Sequence, residues 1–200
     1  MELITSIDFA ILDFIQAAIK NFILDPVMLV LSYSGDKGAI WIIIGLIMLF
    51  FRKTRVTGVM VLAALLLGLI MGEYGLKFIV CRPRPFVVNT DVTLNIVAPS
   101  GYSFPSGHTI AAFSSALIIA VRERRAFGIS AYVLAALIAF SRLYNYVHFP
   151  TDVLAGMAIG TIAALIVIFI FKKTKLDKKI ESIGKKKNVG AEFVNRGHFS

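Results

Sequence analysis

A chain of 200 residues that is 58% hydrophobic, with a mean hydropathy of +0.81, is too apolar for a soluble globular protein, in which roughly 45–50% of residues are apolar. Its net charge of +9 gathers in Arg52–Arg55, Arg122–Arg125 and the stretch from Lys172 onward, each abutting an apolar run, which is the positive-inside pattern of a membrane protein rather than a nucleic-acid-binding surface. A single cysteine, Cys81, excludes an intrachain disulfide framework and any CxxC metal or redox pair.

In the first 35 residues, Ile4, Ile7, Ile11, Phe14 or Ile15, Ala18 and Phe22 recur at helical spacing, with Asp8, Asp13, Gln16 and Lys20 elsewhere. That pattern predicts an amphipathic helix in the membrane interface. Asp25-Pro26 reads as an N-cap followed by proline at the first helical position. Residues 26–34 are too short to cross alone. The N-terminal helices are therefore read as interfacial or half-inserted, with a sixth span from about Ile11 as the alternative. Met1-Glu2-Leu3 lacks the basic start of a signal peptide, so the spans themselves are expected to direct insertion.

Residues 39–51 form the first long apolar run and can extend back through Gly35. Residues 56–80 form the second, interrupted by Glu73. Residues 82–106 are polar, rich in proline and loop-like. Residues 107–121, 126–144 and 152–171 supply three more runs. About 20 apolar residues cross a bilayer as a helix. The expected fold is thus all-α, a polytopic transmembrane helical bundle of five spans, the third of them short. Residues 1–171 form the membrane-embedded domain, and residues 172–200 a basic, weakly ordered cytoplasmic tail. With the basic clusters in the cytoplasm, the opposite ends of the spans meet at the extracytoplasmic face of a cell membrane.

Those ends carry charge where a bilayer makes it costly, about 2.5–3.5 kcal/mol at a span centre. Lys77, Arg84 and Arg142 suit an anion: arginine offers a planar fork to phosphate and lysine a compact charge. Ser106 adds a hydroxyl, and Gly107 opens a helix N-terminus, where unpaired N–H groups favour an anion. His148 precedes Asp152 by four residues. A carboxylate on one imidazole nitrogen fixes the tautomer and frees the other for attack, which makes His148 the nucleophile candidate. His108 has no adjacent carboxylate in sequence and suits the general acid. Two histidines and one aspartate could instead hold a divalent ion, but the surrounding cations disfavour it, so no metal is expected. Cys81 reads as a packing residue, since burial raises a thiol's pKa.

The three segments KFIVCRPRP (from Lys77), FPSGHT (around His108) and SRLYNYVHFPTD (ending at Asp152) resemble the K-x6-RP, PSGH and SR-x5-H-x3-D signature of the type 2 phosphatidic acid phosphatase superfamily. The resemblance spans Lys77 to Asp152. It implies a helical bundle that cleaves phosphate esters without metal or other cofactor, through a phosphohistidine. It assigns phosphate binding to Lys77, Arg84, Ser106, Gly107 and Arg142, acid chemistry to His108, attack to His148 and orientation to Asp152. Arg82 lies outside the pattern and is a candidate second phosphate or headgroup contact. Apolar walls at the membrane boundary suit a lipid phosphate. The lack of a soluble domain resembles bacterial members acting on undecaprenyl pyrophosphate, the first expectation, or on phosphatidylglycerol phosphate; phosphatidic acid is a further alternative. The non-enzymatic alternative is an anion or lipid transporter, which would have no need of the His148–Asp152 pair.

Overall fold

The computed structural model describes residues 2–180 and 182. The part of the expected tail over residues 183–200 lies outside the described residues. No strand occurs among the described residues. Helix α1 (Glu2–Phe14) continues into a wider π turn (Ile15–Ile19). Helix α2 (Leu24–Ser34) and α3 (Ala39–Phe50) flank a bend at Asp36–Gly38. Helix α4 (Arg55–Leu69) passes through a second π segment (Ile70–Leu76) into the short α5 (Lys77–Val80). After the short α6 (Pro85–Val88) and a loop come α7 (Gly107–Arg122), α8 (Arg125–Tyr144) and α9 (Pro150–Thr174).

Among the described residues three helical stretches are long and apolar enough to cross a membrane: Arg55–Val88, Arg125–Tyr144 and Pro150–Thr174. The pair α2–α3, bent by 51°, makes up to four if it is one span. Helix α7 has 16 residues and is shorter than a full crossing.

Helix α7 is the axis of the bundle, packed on α4, α8 and α9. It can be so central because small residues let its neighbours close in. A Cβ on Gly160 would lie 2.6 Å from the Ile110 carbonyl oxygen, and one on Gly156 would lie 2.9 Å from that of Ser106. Gly156-x3-Gly160 is thus a small-residue stripe on which two backbones meet, the usual way helices associate where lipid offers no hydrophobic drive. Trp41, Val61, Ala64, Ala112, Ala116, Ile118, Ala135 and Ile138 fill the core between α3, α4, α7 and α8.

The N-terminal helix is amphipathic, with its isoleucine stripe on the outside. Ile4, Ile7 and Ile11 face outward, whereas Asp8, Leu12 and Ile15 are buried against the protein. The polar positions are the docking groups. Asp13 accepts a hydrogen bond from the Tyr146 hydroxyl (2.7 Å), and Gln16 donates to the Tyr144 carbonyl (2.8 Å). Asp25 does not cap α2. The Asn21 side chain accepts from the amides of Ile23 and Leu24, both at 3.0 Å, while Asp25 receives the Tyr144 hydroxyl at 2.8 Å.

Candidate active site

Four chain segments end at one place. Helix α5 begins with Lys77, and Cys81, in the left-handed region (φ 49°), ends it. The chain then runs extended to Arg84, and Pro85 takes the first position of α6, where its missing N–H costs nothing. The N-terminus of α7, the 145–149 loop and the N-terminus of α9 complete the site.

Arg84 is 5% exposed. Its Nε donates to the Gly101 carbonyl (3.0 Å), Nη2 to that of Ser100 (3.2 Å) and Nη1 to that of Val147 (3.0 Å). Nη1 also lies 3.3 Å from His148 Nε2. A guanidinium can only donate, so Nε2 presents its lone pair and the ring proton sits on Nδ1. His148 Nδ1 faces Asp152 Oδ2 at 3.6 Å, close but too long for a hydrogen bond. His148 lies in the loop between α8 and α9. Burial pushes its imidazole down to about 3; Arg84 and Arg142 add to the effect and Asp152 opposes it. The ring is therefore neutral at neutral pH.

Asp152 is fully buried. It sits three residues into α9, and its Oδ2 accepts from the Phe149 amide (2.8 Å) and the Ser103 hydroxyl. Its Oδ1 accepts from Arg82 Nη1 (2.8 Å). The carboxylate thus reaches back over an extended Phe149 to the preceding histidine, as the His-x3-Asp spacing requires.

Ser106 is buried and receives the Thr109 hydroxyl (2.9 Å). A Cβ on Gly107 would fall 2.5 Å from Glu73 Oε1. The missing side chain therefore leaves room for an anionic oxygen against the first turn of α7. In this structure Glu73 supplies that oxygen, and both Glu73 oxygens lie 2.8 Å from Lys77 Nζ. The π segment carries Glu73, in keeping with the tendency of such bulges to fall at functional sites.

Arg142 is 3% exposed; its Nη1 donates to the Ser32 hydroxyl and its buried Nε has no partner. Among the described residues neither Arg84 nor Arg142 has a carboxylate partner. Two buried guanidinium groups with no carboxylate in contact are costly in the free protein, and an anion bound between them would reduce that cost.

The sequence leaves His108 without a carboxylate; the fold supplies one. His108 Nε2 lies 2.9 Å from Asp36 Oδ1 and 3.2 Å from the Ser32 carbonyl. Both are acceptors, so Nε2 carries the proton and Nδ1 stays uncommitted. Gly35 makes this approach possible, since a Cβ there would lie 2.8 Å from the His108 ring. Asp36, Ser103 and Asp8 were not singled out as site residues in the sequence. Gly35-Asp36-Lys37-Gly38, a charged break between apolar runs, was the only available signal for Asp36. Arg82, the candidate second phosphate or headgroup contact, points to Asp8 and Asp152. Cys81 is exposed.

Residues 55–175 match the PAP2 superfamily profile. The chain is 29% identical over 160 residues to an undecaprenyl-diphosphatase of Sulfolobus acidocaldarius, covering 80% of this chain and 76% of that protein. It is 33% identical over 155 residues to phosphatidylglycerophosphatase B of Bacillus subtilis, covering 72% and 70%. The crystal structure of a transmembrane PAP2 type phosphatidylglycerolphosphate phosphatase from Bacillus subtilis superposes with a TM-score of 0.70 at 29% identity, over 86% of this chain and 88% of that one.

Proposed function

Because the chain belongs to the PAP2 superfamily, whose members hydrolyse lipid phosphate esters, we propose that it is an undecaprenyl pyrophosphate phosphatase working through a phosphohistidine at His148. The observation that carries this reading is the pair of buried guanidinium groups, Arg84 and Arg142, without a carboxylate partner and with the unprotonated Nε2 of His148 beside Arg84.

In this reading the terminal phosphate takes the place of the Glu73 carboxylate near Lys77 and Gly107 and spreads its charge over Arg84 and Arg142. Such prearranged donors stabilise the transition state, where charge builds on the phosphoryl oxygens. His148 Nε2 attacks phosphorus, and the bond to the leaving oxygen breaks. His108, as the imidazolium with its Nε2–H kept on Asp36, gives that oxygen the proton of Nδ1. The lipid monophosphate departs, and His108 then takes a proton from the water that cleaves the P–N bond. Asp152 faces the Nδ1–H of His148 and balances the charge that forms on the ring. Asp36, on the Nε2–H of His108, stabilises the protonated form of that ring from which the proton is given.

The helices support a site on the outer side of a multi-pass bundle. Each of α4–α5, α7, α8 and α9 has one end in the site and the other at a basic cluster. With those clusters inside, the site meets the outer leaflet, where a polyprenyl tail lies among lipid and its diphosphate reaches the cradle. Five spans follow if α2–α3 counts as one and α7 borrows flanking residues. Phosphatidylglycerol phosphate is the second reading, favoured by the relative of Bacillus subtilis at 33% identity.

Purified protein given undecaprenyl pyrophosphate, phosphatidylglycerol phosphate and phosphatidic acid in excess chelator separates these readings. Fastest phosphate release from the polyprenyl diphosphate is expected. Preference for phosphatidylglycerol phosphate would replace the first reading by the second. Activity that chelator abolishes and one metal restores would overturn the metal-free mechanism.

A further inference from the structure

Arg82 is the one cation of the first motif that the phosphate cradle does not use. Its side chain makes four contacts on the far side of Asp152. Nη1 donates to Asp152 Oδ1 (2.8 Å) and to the Thr151 hydroxyl (2.7 Å). Nη2 donates to Asp8 Oδ2 (2.7 Å), and the guanidinium carbon lies 3.8 Å above the Phe149 ring. Asp8, 1% exposed, also receives the Thr151 amide (3.0 Å) and hydroxyl (2.5 Å). A buried aspartate on an outer helix whose neighbours Ile4, Ile7 and Ile11 face outward is expensive unless paired. Here it is paired with the group that holds the carboxylate of the catalytic pair.

We propose that Arg82 and Asp8 are positioning residues for Asp152, so that the N-terminal helix is a working part of the catalytic site. The inference rests on the reading of His148 as nucleophile. Asp152 Oδ2 faces the Phe149 amide, Ser103 and His148, while Oδ1 is held by Arg82 alone among charged groups. With both oxygens fixed the carboxylate cannot rotate, and Oδ2 stays turned to the imidazole. Arg82 also draws negative charge away from Oδ2, and Asp8 moderates this by sharing the guanidinium. The fork geometry of arginine is needed, because one group must reach two carboxylates and a hydroxyl at once.

The charges around the His148–Asp152 pair give the two positions different signatures. Arg84 from the 81–85 segment and Arg142 from α8 act on the imidazole; Arg82 acts on the carboxylate, and Asp8 of α1 lies behind Arg82. Arg82→Gln removes a cation from Asp152, so His148 becomes more basic. The acid limb of kcat/KM then moves to higher pH. Asp8→Asn leaves Arg82 to Asp152 alone, so the limb stays in place or moves lower. Neither residue touches substrate, so kcat falls while KM holds. The expected loss is about 10–100-fold, by analogy with the outer-shell partners of metal-ligating histidines. In the double variant kcat is no lower than in Arg82→Gln, because Asp8 acts through Arg82.

The test measures pH profiles and steady-state constants for both single variants and the double variant. Arg82→Lys and Asp8→Glu are the charge-keeping partners, and thermal midpoints in detergent confirm folding. An upward limb in Arg82→Gln, absent in Asp8→Asn and in Arg82→Lys, supports the proposal. Equal limb shifts in both single variants, or reduced kcat with no shift in Arg82→Gln, would reduce the cluster to scaffolding and overturn it. His148→Ala is run alongside. Full turnover in that variant would overturn the nucleophile reading itself, and with it the inference. An inactive His148→Ala with unmoved limbs sinks the inference alone.

Discussion

His108 and His148 differ in what their free nitrogens face, and the difference sets their proposed tasks. His148 shows a lone pair to Arg84 inside the anion cradle, whereas His108 anchors Nε2 on Asp36 and leaves Nδ1 uncommitted. An acid matters most for a poor leaving group, and a nucleophile matters for every one. His108→Ala is therefore expected to lose far more single-turnover rate on an alkyl phosphate than on an aryl phosphate with an acidic phenol, and His148→Ala to lose both alike. Equal losses in His108→Ala would make it a binding residue. The pH profile follows from the buried state of His148. Protonation removes the attacking lone pair, and burial pushes the group to about 3, below its ordinary 6.5. The acid limb of kcat/KM, corrected for substrate ionisation, should therefore lie well below pH 6.5. A limb at or above that value would contradict a buried neutral imidazole in the free enzyme.

At the scale of elements, the helix termini do the positioning. The starts of α7 and α9 deliver Ser106, Gly107, His108 and Asp152, and the Gly156–Gly160 stripe sets how closely these starts approach. Gly160→Ala puts a methyl 2.6 Å from the Ile110 carbonyl oxygen. Overpacking of that kind costs about 1–3 kcal/mol, so a lower thermal midpoint in detergent is expected together with reduced kcat. An unchanged midpoint would mean that the two helices separate freely. The late helices and the first-motif, PSGH and His-x3-Asp residues were legible in the sequence because each motif lies at the end of an apolar run. Asp36 was not, since a bend 72 residues before His108 delivers it. The docking of α1 was hidden for a physical reason. The sequence pattern says that the apolar stripe meets the interface but not what the polar face meets; in the fold Asp8, Asp13 and Gln16 of that face dock on the protein.

The whole molecule divides by charge. One end of the bundle gathers the site, and the other gathers Arg52–Arg55, Arg122–Arg125 and Lys172-Lys173. In a Cys81→Ser background, cysteine at exposed Thr90 should react with an impermeant thiol reagent in intact cells, and cysteine at exposed Lys53 should not. The reverse pattern would turn the site to the cytoplasm and exclude an outer-leaflet substrate. The central claim is that these buried cations serve a covalent step on His148. Its most direct test is rapid alkaline quench of the protein after mixing with undecaprenyl pyrophosphate labelled in the terminal phosphate. A base-stable, acid-labile phosphoryl group mapped to His148, and absent from His148→Ala, is the predicted result; label on another residue, or turnover with no labelled protein at any time point, would contradict it.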